Sequence, residues 1–217
     1  MSEWQRFSSA VELDEALARH VAKRLEGDIA ARGAASLAVS GGSTPRNMFR
    51  QLSRCDMDWS RVWITLVDER WIDPVDPDSN ERLVREHLLQ NRASTARFVG
   101  LKSPQSDPEQ GIAAVSRRLE QVPRPFTRVI LGMGADGHTA SWFPQADNLG
   151  KLLDRAGAPG LGATDPVTAP VLQSRGIIIH VTGEEKRAVL EGAGASRAPV
   201  AAILEQDTTP VAIWWAP

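Results

Sequence analysis

The sequence predicts an α/β fold in which helices cover both faces of a mostly parallel β-sheet. Strand-like segments alternate with helix-like segments along the chain, and the strand-like segments are continuous apolar runs. Continuous runs are typical of strands buried on both faces, and the alternation with helices is typical of a parallel sheet. The length of 217 residues predicts one domain over residues 1–217.

Five strands and five helices follow from these patterns. The strands are predicted at Ser36–Val39, Val62–Val67, Arg128–Leu131, Ile177–Val181 and Val211–Trp215. The helices are predicted over residues 10–32, 45–54, 80–90 and 108–121, and from Glu184 onward. Segment 145–175 is rich in Gly, Ala and Pro, which predicts a long loop with one helix near residues 147–156.

Capping residues mark the ends of three predicted helices. Gly33 follows the first helix, Ser43 or Thr44 precedes Pro45 at the start of the second, and Ser79 precedes the third. Hydroxyl side chains accept hydrogen bonds from first-turn amides, and glycine readily adopts the left-handed conformation that ends a helix. These residues therefore set the expected helix boundaries.

Composition excludes several classes of function. The chain carries 25 Lys and Arg against 27 Asp and Glu, and no basic block indicates a nucleic-acid surface. Cys55 is the single cysteine, so no intrachain disulfide is expected, which is typical of a reducing compartment. The polar N-terminal stretch does not resemble a secretory signal, and no apolar run approaches the roughly 18 residues of a membrane span. We expect a cytoplasmic protein, a monomer or weak homodimer, with no nucleic-acid or membrane partner.

Four predicted strands end in unusual residues. The sequences at these ends are SGGSTP, DER, GMGADGH and TGEEK. Ligands of open parallel sheets bind outside the carboxyl ends of the strands. The sequence therefore predicts one composite site at this edge of the sheet.

The SGGSTP turn has the features of a phosphate site. Gly41 and Gly42 allow the backbone to approach a ligand, Ser43 and Thr44 add hydroxyl groups, and the helix beginning near Pro45 supplies free N–H groups. No lysine follows at P-loop spacing, so a nucleoside triphosphate site is not indicated. A plain strand-to-helix turn with a capping serine is the alternative.

Charged residues at two other strand ends have a structural and a functional interpretation. Asp68, Glu69 and Arg70 form either an ion pair at the sheet edge or a site in which the planar guanidinium binds a substrate oxyanion or phosphate. Lys186 lies in the first turn of its helix, where a cation opposes the helix dipole. It is either a solvated lysine or a phosphate ligand.

The GMGADGH loop predicts acid–base chemistry. Its G-x-G-x-x-G spacing is not a dinucleotide fingerprint, because it does not follow the first strand and Pro144 cuts a long helix short. Instead, His138 can accept a proton from water at neutral pH, and Asp136 can hold its ring and stabilise the imidazolium. The remaining histidines, His20, His87 and His180, are expected to be structural or solvated.

We expect no cofactor and no required metal. No Cys/His cluster has zinc-site spacing. The carboxylates of DPVDPDS suggest calcium, but Pro74 and Pro77 break the regularity of that loop and no EF-hand pattern follows.

Four blocks of the chain resemble the 6-phosphogluconolactonase family, in its order and spacing. They are LAVSGGSTPRNMF, ITLVDERWIDPVDPDSNERLVREHLL, FTRVILGMGADGHTASWFP and VTGEEKRAVL. The resemblance implies a Rossmann-like fold similar to amino-sugar-phosphate isomerases. It also implies cofactor-free hydrolysis of 6-phospho-D-glucono-1,5-lactone to 6-phosphogluconate in the oxidative pentose phosphate pathway.

The resemblance also implies roles for residues of these blocks. His138 resembles the general base that activates water, with Asp136 and Asp68 as its orienting or electrostatic partners and Arg70 as a substrate ligand. The phosphate pocket would comprise Gly41, Gly42, Ser43, Thr44 and Lys186. For the mechanism, we expect backbone N–H groups around Gly134 to stabilise the oxyanion.

One departure from the family and two rival functions remain open. Before the strand at 177–181, the family usually has a segment that resembles Arg-(Ile/Val)-Thr-Leu-Thr, together with a short helix. In this chain TAPVLQSRG leads directly into that strand, so the segment is shortened. Arg175 is not a safe substitute for the arginine of the family segment. One rival is an amino-sugar-phosphate deaminase/isomerase, which resembles a GHIAFNEP-type loop with a glutamate that TASWFPQ lacks. The other is a sugar-phosphate-binding module that has lost activity.

Overall fold

A seven-stranded, entirely parallel sheet organises the chain. The computed structural model describes residues 2–142, 168–196 and 198–217. The strands are β1 (Glu3–Arg6), β2 (Ala35–Val39), β3 (Val62–Leu66), β4 (Arg97–Val99), β5 (Arg128–Leu131), β6 (Ile177–Thr182) and β7 (Val211–Ala216). Their order across the sheet is β1-β7-β6-β5-β2-β3-β4, and every neighbouring pair is parallel. The α/β fold predicted from the sequence is confirmed.

Helices connect the strands. They are α1 (Ala10–Arg32), α2 (Arg46–Leu52), α3 (Asn80–His87), α4 (Pro108–Leu119), α5 (Thr168–Leu172), α6 (Glu184–Glu191), α7 (Ala193–Ser196) and α8 (Val200–Glu205). Two single 3₁₀ turns lie at Trp59–Arg61 and Asn91–Thr95. No helix of the described ranges is long and apolar enough to cross a membrane.

The five predicted strands are present, but two edge strands were missed. Three of the four residues of β1 are polar or charged and it pairs only with β7, while β4 has only three residues and pairs only with β3. Edge strands this short carry little apolar periodicity. The loop predicted for the C-terminal part of segment 145–175 was wrong, because α5 forms at Thr168–Leu172. The helix predicted near 147–156 lies outside the described residues.

The core lies on both faces of the central strands. All five residues of β2 are buried, so both faces of this strand are covered. On α1, the buried positions Leu13, Leu17, Val21 and Leu25 recur every four residues and present one continuous stripe. Burial of these side chains supplies the main driving force for packing the helices on the sheet.

Two of the three predicted caps are confirmed. Gly33 ends α1 with φ of 81°, and its N–H donates to the Ile29 carbonyl at 2.8 Å. The Ser79 hydroxyl accepts from the Arg82 amide at the start of α3. The prediction for α2 was wrong: its N-cap is Pro45, and no side chain caps it.

The backbone explains the missing α2 cap. The Arg46 amide reaches back to the Ser43 carbonyl at 3.4 Å, and the Phe49 amide donates to the Pro45 carbonyl at 2.8 Å. This turn closes through main-chain atoms. The hydroxyl groups of Ser43 and Thr44 consequently do not cap the helix.

Truncating the α1 stripe tests this account of the core. We expect Leu17→Ala to lower the free energy of unfolding by about 2–5 kcal/mol, because Leu17 is fully buried and the cavity left behind cannot be refilled. Val11→Ala is the matched control on the same helix, since Val11 is 58% exposed. Its effect should stay within about 0.5 kcal/mol in chemical denaturation. Equal losses in the two variants would contradict the assigned orientation of α1.

Candidate active site

The sheet order creates a crevice at the carboxyl ends of β2 and β5. From β2 the chain proceeds to β3 and β4 on one side, whereas β5, β6 and β7 lie on the other. Loops that leave neighbouring strands in opposite directions open a crevice, and this is where open α/β sheets bind ligands. The loops after β2 and β5 therefore begin at the switch point of this sheet.

A cleft of about 210 Å³ occupies this crevice. It is lined by Ser40, Gly41, Gly42, Ser43, Thr44, Asp68, Arg70, Asn80, Gly132, Met133, Gly134, His138, Ala140 and Lys186. Nine of the ten residues predicted for the site are in this set, and Asp136 lies directly behind His138. The structure thus brings together residues separated by more than 140 positions in the chain; their roles stay predictions.

The turn after β2 requires glycine at two positions. Gly42 has φ of 95°, a conformation that side chains rarely adopt. At Gly41, a Cβ atom would lie 1.7 Å from Oδ1 of Asn80, which is closer than any two unbonded atoms can approach. The glycines therefore allow this turn to pass close to the loop that follows β3.

Glu69 organises the loop after β3. Its Oε1 accepts hydrogen bonds from the backbone amides of Arg70 and Asn80, both at 2.8 Å. Its Oε2 accepts from the Ser79 hydroxyl at 3.0 Å and from the Glu81 amide at 2.8 Å. A carboxylate at the N-terminus of α3 is also favoured by the helix dipole. Glu69 therefore closes the loop, and the predicted alternative of an ion pair does not describe this residue.

Three residues of this loop and its helix line the cleft: Asp68, Arg70 and Asn80. Arg70 donates from its guanidinium to the Asp78 carbonyl across the loop, which fixes its direction. The Asn80 side chain donates from Nδ2 to the Asp68 carbonyl at 3.0 Å. Sequence reasoning missed Asn80; the available signal was its position next to the predicted cap Ser79, directly after the DPD loop.

His138 and Asp136 form a hydrogen-bonded pair. Nδ1 of His138 lies 2.6 Å from Oδ1 of Asp136, and the same oxygen accepts the His138 amide at 3.2 Å. Desolvation opposes ionisation of Asp136, but these two hydrogen bonds and the electrostatic attraction of His138 together lower the pKa of its carboxyl below the ordinary value. Because an ionised carboxylate can only accept, a neutral His138 ring in this pair carries its proton on Nδ1 and its lone pair on Nε2.

The backbone of this loop is used to hold the imidazole. The Gly134 amide donates to the His138 carbonyl at 2.9 Å, and the Thr139 hydroxyl donates to the Gly132 carbonyl at 2.8 Å. The Gly134 N–H is therefore engaged within the loop, which speaks against the expected oxyanion donor at this position. A Cβ atom on Gly134 would lie 2.2 Å from Cε1 of His138, so glycine is needed here for a close approach.

Lys186 lines the cleft from the helix that follows β6. It lies in the first turn of α6, which begins after Gly183 and has no side-chain cap. Its neighbour Glu184 pairs with Arg187 at 3.4 Å, on the same helix. Lys186 and Arg70 thus bring two cations to the cleft from different strands.

Arg175 cannot contribute to this cleft. It precedes β6 and therefore lies at the amino end of the sheet, where its Nη1 contacts Oδ1 of Asp28 at 3.0 Å. Asp28 also accepts from Arg32 and from the Thr127 hydroxyl, both at 2.6 Å. The structure thus agrees that Arg175 is no substitute for the arginine that the resemblance implies.

The other histidines lie away from the cleft. His180 is buried on β6, with Nε2 3.1 Å from Oδ1 of Asp14, and His20 packs against Trp214 at 5.1 Å between ring centroids. Within the described ranges, no group of three or more His, Cys, Asp or Glu side chains could hold a metal. The absence of a required metal stays a prediction.

The sequence and fold of this chain are similar to those of known proteins. A family model described as glucosamine-6-phosphate isomerases/6-phosphogluconolactonase matches residues 8–214. A 6-phosphogluconolactonase of Rhizobium meliloti is 44% identical over 225 residues, covering 97% of each chain. A crystal structure of a 6-phosphogluconolactonase from Shewanella baltica OS155 superposes with a TM-score of 0.92 at 43% identity, covering 100% of this chain and 98% of the other. A monomeric glucosamine-6-phosphate deaminase shares the fold, with a TM-score of 0.72 at 18% identity and coverage of 97% and 96%.

A methyl group at Gly134 should displace the imidazole. We expect Gly134→Ala to shift the ¹⁵N resonances of the His138 ring and to weaken the hydrogen bond to Asp136, because the new Cβ occupies the position of the ring edge. Gly27→Ala is the control, because a Cβ atom there meets nothing within 4 Å beyond its chain neighbours and its own helix backbone, and Ala favours α1 by up to about 1 kcal/mol. Unchanged His138 resonances in Gly134→Ala would show that the loop holds the ring differently.

Proposed function

Because this chain belongs to the glucosamine-6-phosphate isomerase/6-phosphogluconolactonase family, we propose that its cleft is the active site of a lactone-hydrolysing enzyme. The enzyme is a carboxylic ester hydrolase that converts 6-phospho-D-glucono-1,5-lactone to 6-phosphogluconate in the oxidative pentose phosphate pathway. The assignment of roles to residues rests on one observation. The His138–Asp136 pair and the glycine turn after β2 line or support the same small cleft.

The proposed reaction is general-base hydrolysis. Nε2 of His138 takes a proton from water as the water oxygen attacks C1 of the lactone, and the carbonyl electrons move to the exocyclic oxygen. The C1–ring oxygen bond then breaks, and the imidazolium returns the proton to the ring oxygen. Asp136 stabilises the imidazolium between these steps and keeps Nε2 directed at the cleft.

Lys186 and the glycine turn after β2 would bind the phosphate. Gly41 and Gly42 leave the backbone accessible, Ser43 and Thr44 supply hydroxyl donors, and Lys186 adds a positive charge from α6. Binding energy gained on the unreactive phosphate holds C1 beside the base, which converts the attack into an intramolecular-like step. A cleft of about 210 Å³ suits a single phosphorylated sugar rather than a larger ligand.

Asp68 and Arg70 would act at the reacting end of the lactone. Both line the cleft from the loop after β3, opposite the loop that carries His138. The guanidinium of Arg70 is held by the Asp78 carbonyl, so it is oriented before substrate binds. Since the Gly134 amide is engaged, we assign the stabilisation of the oxyanion to Arg70 and the electrostatic support of the imidazolium to Asp68.

The rival functions have less support. The deaminase class resembles a GHIAFNEP-type loop with a glutamate downstream of the histidine, whereas TASWFPQ supplies no acid at that place in this chain. A binding module without activity would have no use for an imidazole held at 2.6 Å by a carboxylate. We further propose a cytoplasmic monomer or weak homodimer; the single cysteine, which allows no intrachain disulfide, supports the reducing compartment.

Removing the imidazole tests the proposed base. In a coupled lactone-hydrolysis assay corrected for spontaneous ring opening, we expect His138→Ala to lower kcat by about 100-fold or more. His87→Ala is the matched control, because His87 lies at the end of α3 and does not line the cleft. Turnover of His138→Ala near that of the wild type would remove His138 from the mechanism. A wild-type chain without lactonase activity would refute the proposed function itself.

The orienting role of Asp136 predicts a milder defect. Asp136→Asn keeps the side-chain shape but replaces the carboxylate that accepts the Nδ1 proton, so the ring loses its fixed tautomer. We expect kcat to fall at least tenfold while KM changes little, because Asp136 does not line the cleft. Steady-state kinetics measure both constants. A rise in KM at constant kcat would mean that Asp136 serves substrate binding instead.

A further inference from the structure

Asn80 occupies the middle of the cleft wall. It is the first residue of α3 and is only 3% exposed, yet it lines the cleft. Its amide lies between two loops, since Nδ2 donates to the Asp68 carbonyl and Oδ1 lies where a Cβ atom of residue 41 would be. Gly41 belongs to the proposed phosphate turn and Asp68 to the reacting end. Asn80 therefore lies between the proposed phosphate turn and the proposed reacting end of the cleft.

The side-chain amide has hydrogen-bonding capacity left over. An Asn amide offers two N–H donors and one oxygen acceptor. The Asp68 carbonyl can only accept, which identifies the nitrogen and uses one N–H. Within residues 2–142, 168–196 and 198–217, the Asn80 side chain forms no further hydrogen bond. A donor and an acceptor consequently remain for a ligand in the cleft.

The position of this amide is fixed in advance. The Asn80 backbone N–H donates to Oε1 of Glu69 at 2.8 Å, and the same carboxylate holds the residues on either side of it. Together with the Asp68 contact, this leaves the side chain little rotational freedom. A group ordered before binding loses less entropy when it contacts a ligand.

We propose that Asn80 is a substrate-binding residue that hydrogen-bonds a hydroxyl group of the sugar ring. The inference rests on the proposed function. The substrate carries phosphate at one end and the reacting carbonyl at the other, with ring hydroxyls between them. A neutral donor–acceptor amide matches a hydroxyl, which is itself a donor and an acceptor, whereas Arg70 and Lys186 match anionic oxygens.

Comparing two ligands separates sugar contact from phosphate contact. Dissociation constants for 6-phosphogluconate and for inorganic phosphate would be measured by calorimetry or ³¹P NMR on the wild type, Asn80→Ala and Lys186→Ala. We expect Asn80→Ala to weaken 6-phosphogluconate binding about tenfold and to leave phosphate binding within about twofold. Lys186→Ala is the matched variant and should weaken both ligands.

Steady-state kinetics and a second substitution at position 80 test the proposal independently of the binding measurements. We expect Asn80→Ala to raise KM for the lactone with little change in kcat, since a ring hydroxyl is bound equally in the ground and transition states. Both Asn80 variants retain the Ser79 cap and the backbone contact to Glu69, and Asn80→Ser also keeps a polar side chain at this position. Asn80→Ser should therefore fold even if Asn80→Ala does not, and it should show the same ligand pattern.

Three outcomes overturn the proposal. Equal weakening of phosphate and 6-phosphogluconate in the Asn80 variants would mean that Asn80 shapes the phosphate turn. Unchanged 6-phosphogluconate binding with intact lactone turnover would remove Asn80 alone and leave the proposed function standing. A wild-type chain that binds phosphate but neither binds 6-phosphogluconate nor hydrolyses the lactone would refute the proposed function and this inference together.

Discussion

The common direction of all seven strands is the constraint on which the site depends. Because every pairing is parallel, the loops after β2, β3, β5 and β6 leave the sheet at one edge. Successive strands are added on opposite sides of the β2–β5 pair, and the loops that diverge there open a crevice at that edge. Glycine turns, a charged loop and a histidine loop meet there although they are far apart in sequence. Loss of the parallel register would separate them regardless of their individual conformations.

The two sides of the cleft use main-chain hydrogen bonds in different ways. On one side, the Glu69 carboxylate accepts hydrogen bonds from amides of its own loop and of the α3 N-terminus. This positions Arg70 and Asn80 in the cleft lining. On the other, the backbone of the histidine loop turns back on itself, with Gly134 bonded to the His138 carbonyl. Rigid loops are a requirement for catalysis by positioning, because small displacements of a base or an anion site cost large factors in rate.

Sequence reasoning identified the site better than it identified the edges of the fold. Gly41, Arg70 and His138 follow apolar strands, and strand ends of a parallel sheet meet at one edge, so their convergence was predictable. The three-residue strand β4 was not, because so short a segment has no measurable periodicity. Nor was the role of Glu69 as a helix-capping acceptor, since it depends on contacts ten to twelve residues away.

A structure of the protein with bound 6-phosphogluconate tests the central claim most directly. The account predicts the phosphate against the turn at residues 41–44 and Lys186, and the C1 carboxylate within about 3 Å of Nε2 of His138. It also requires one ligand molecule to make both contacts at once. A phosphate bound elsewhere on the chain, or a carboxylate that cannot reach His138 while the phosphate occupies the glycine turn, would contradict it.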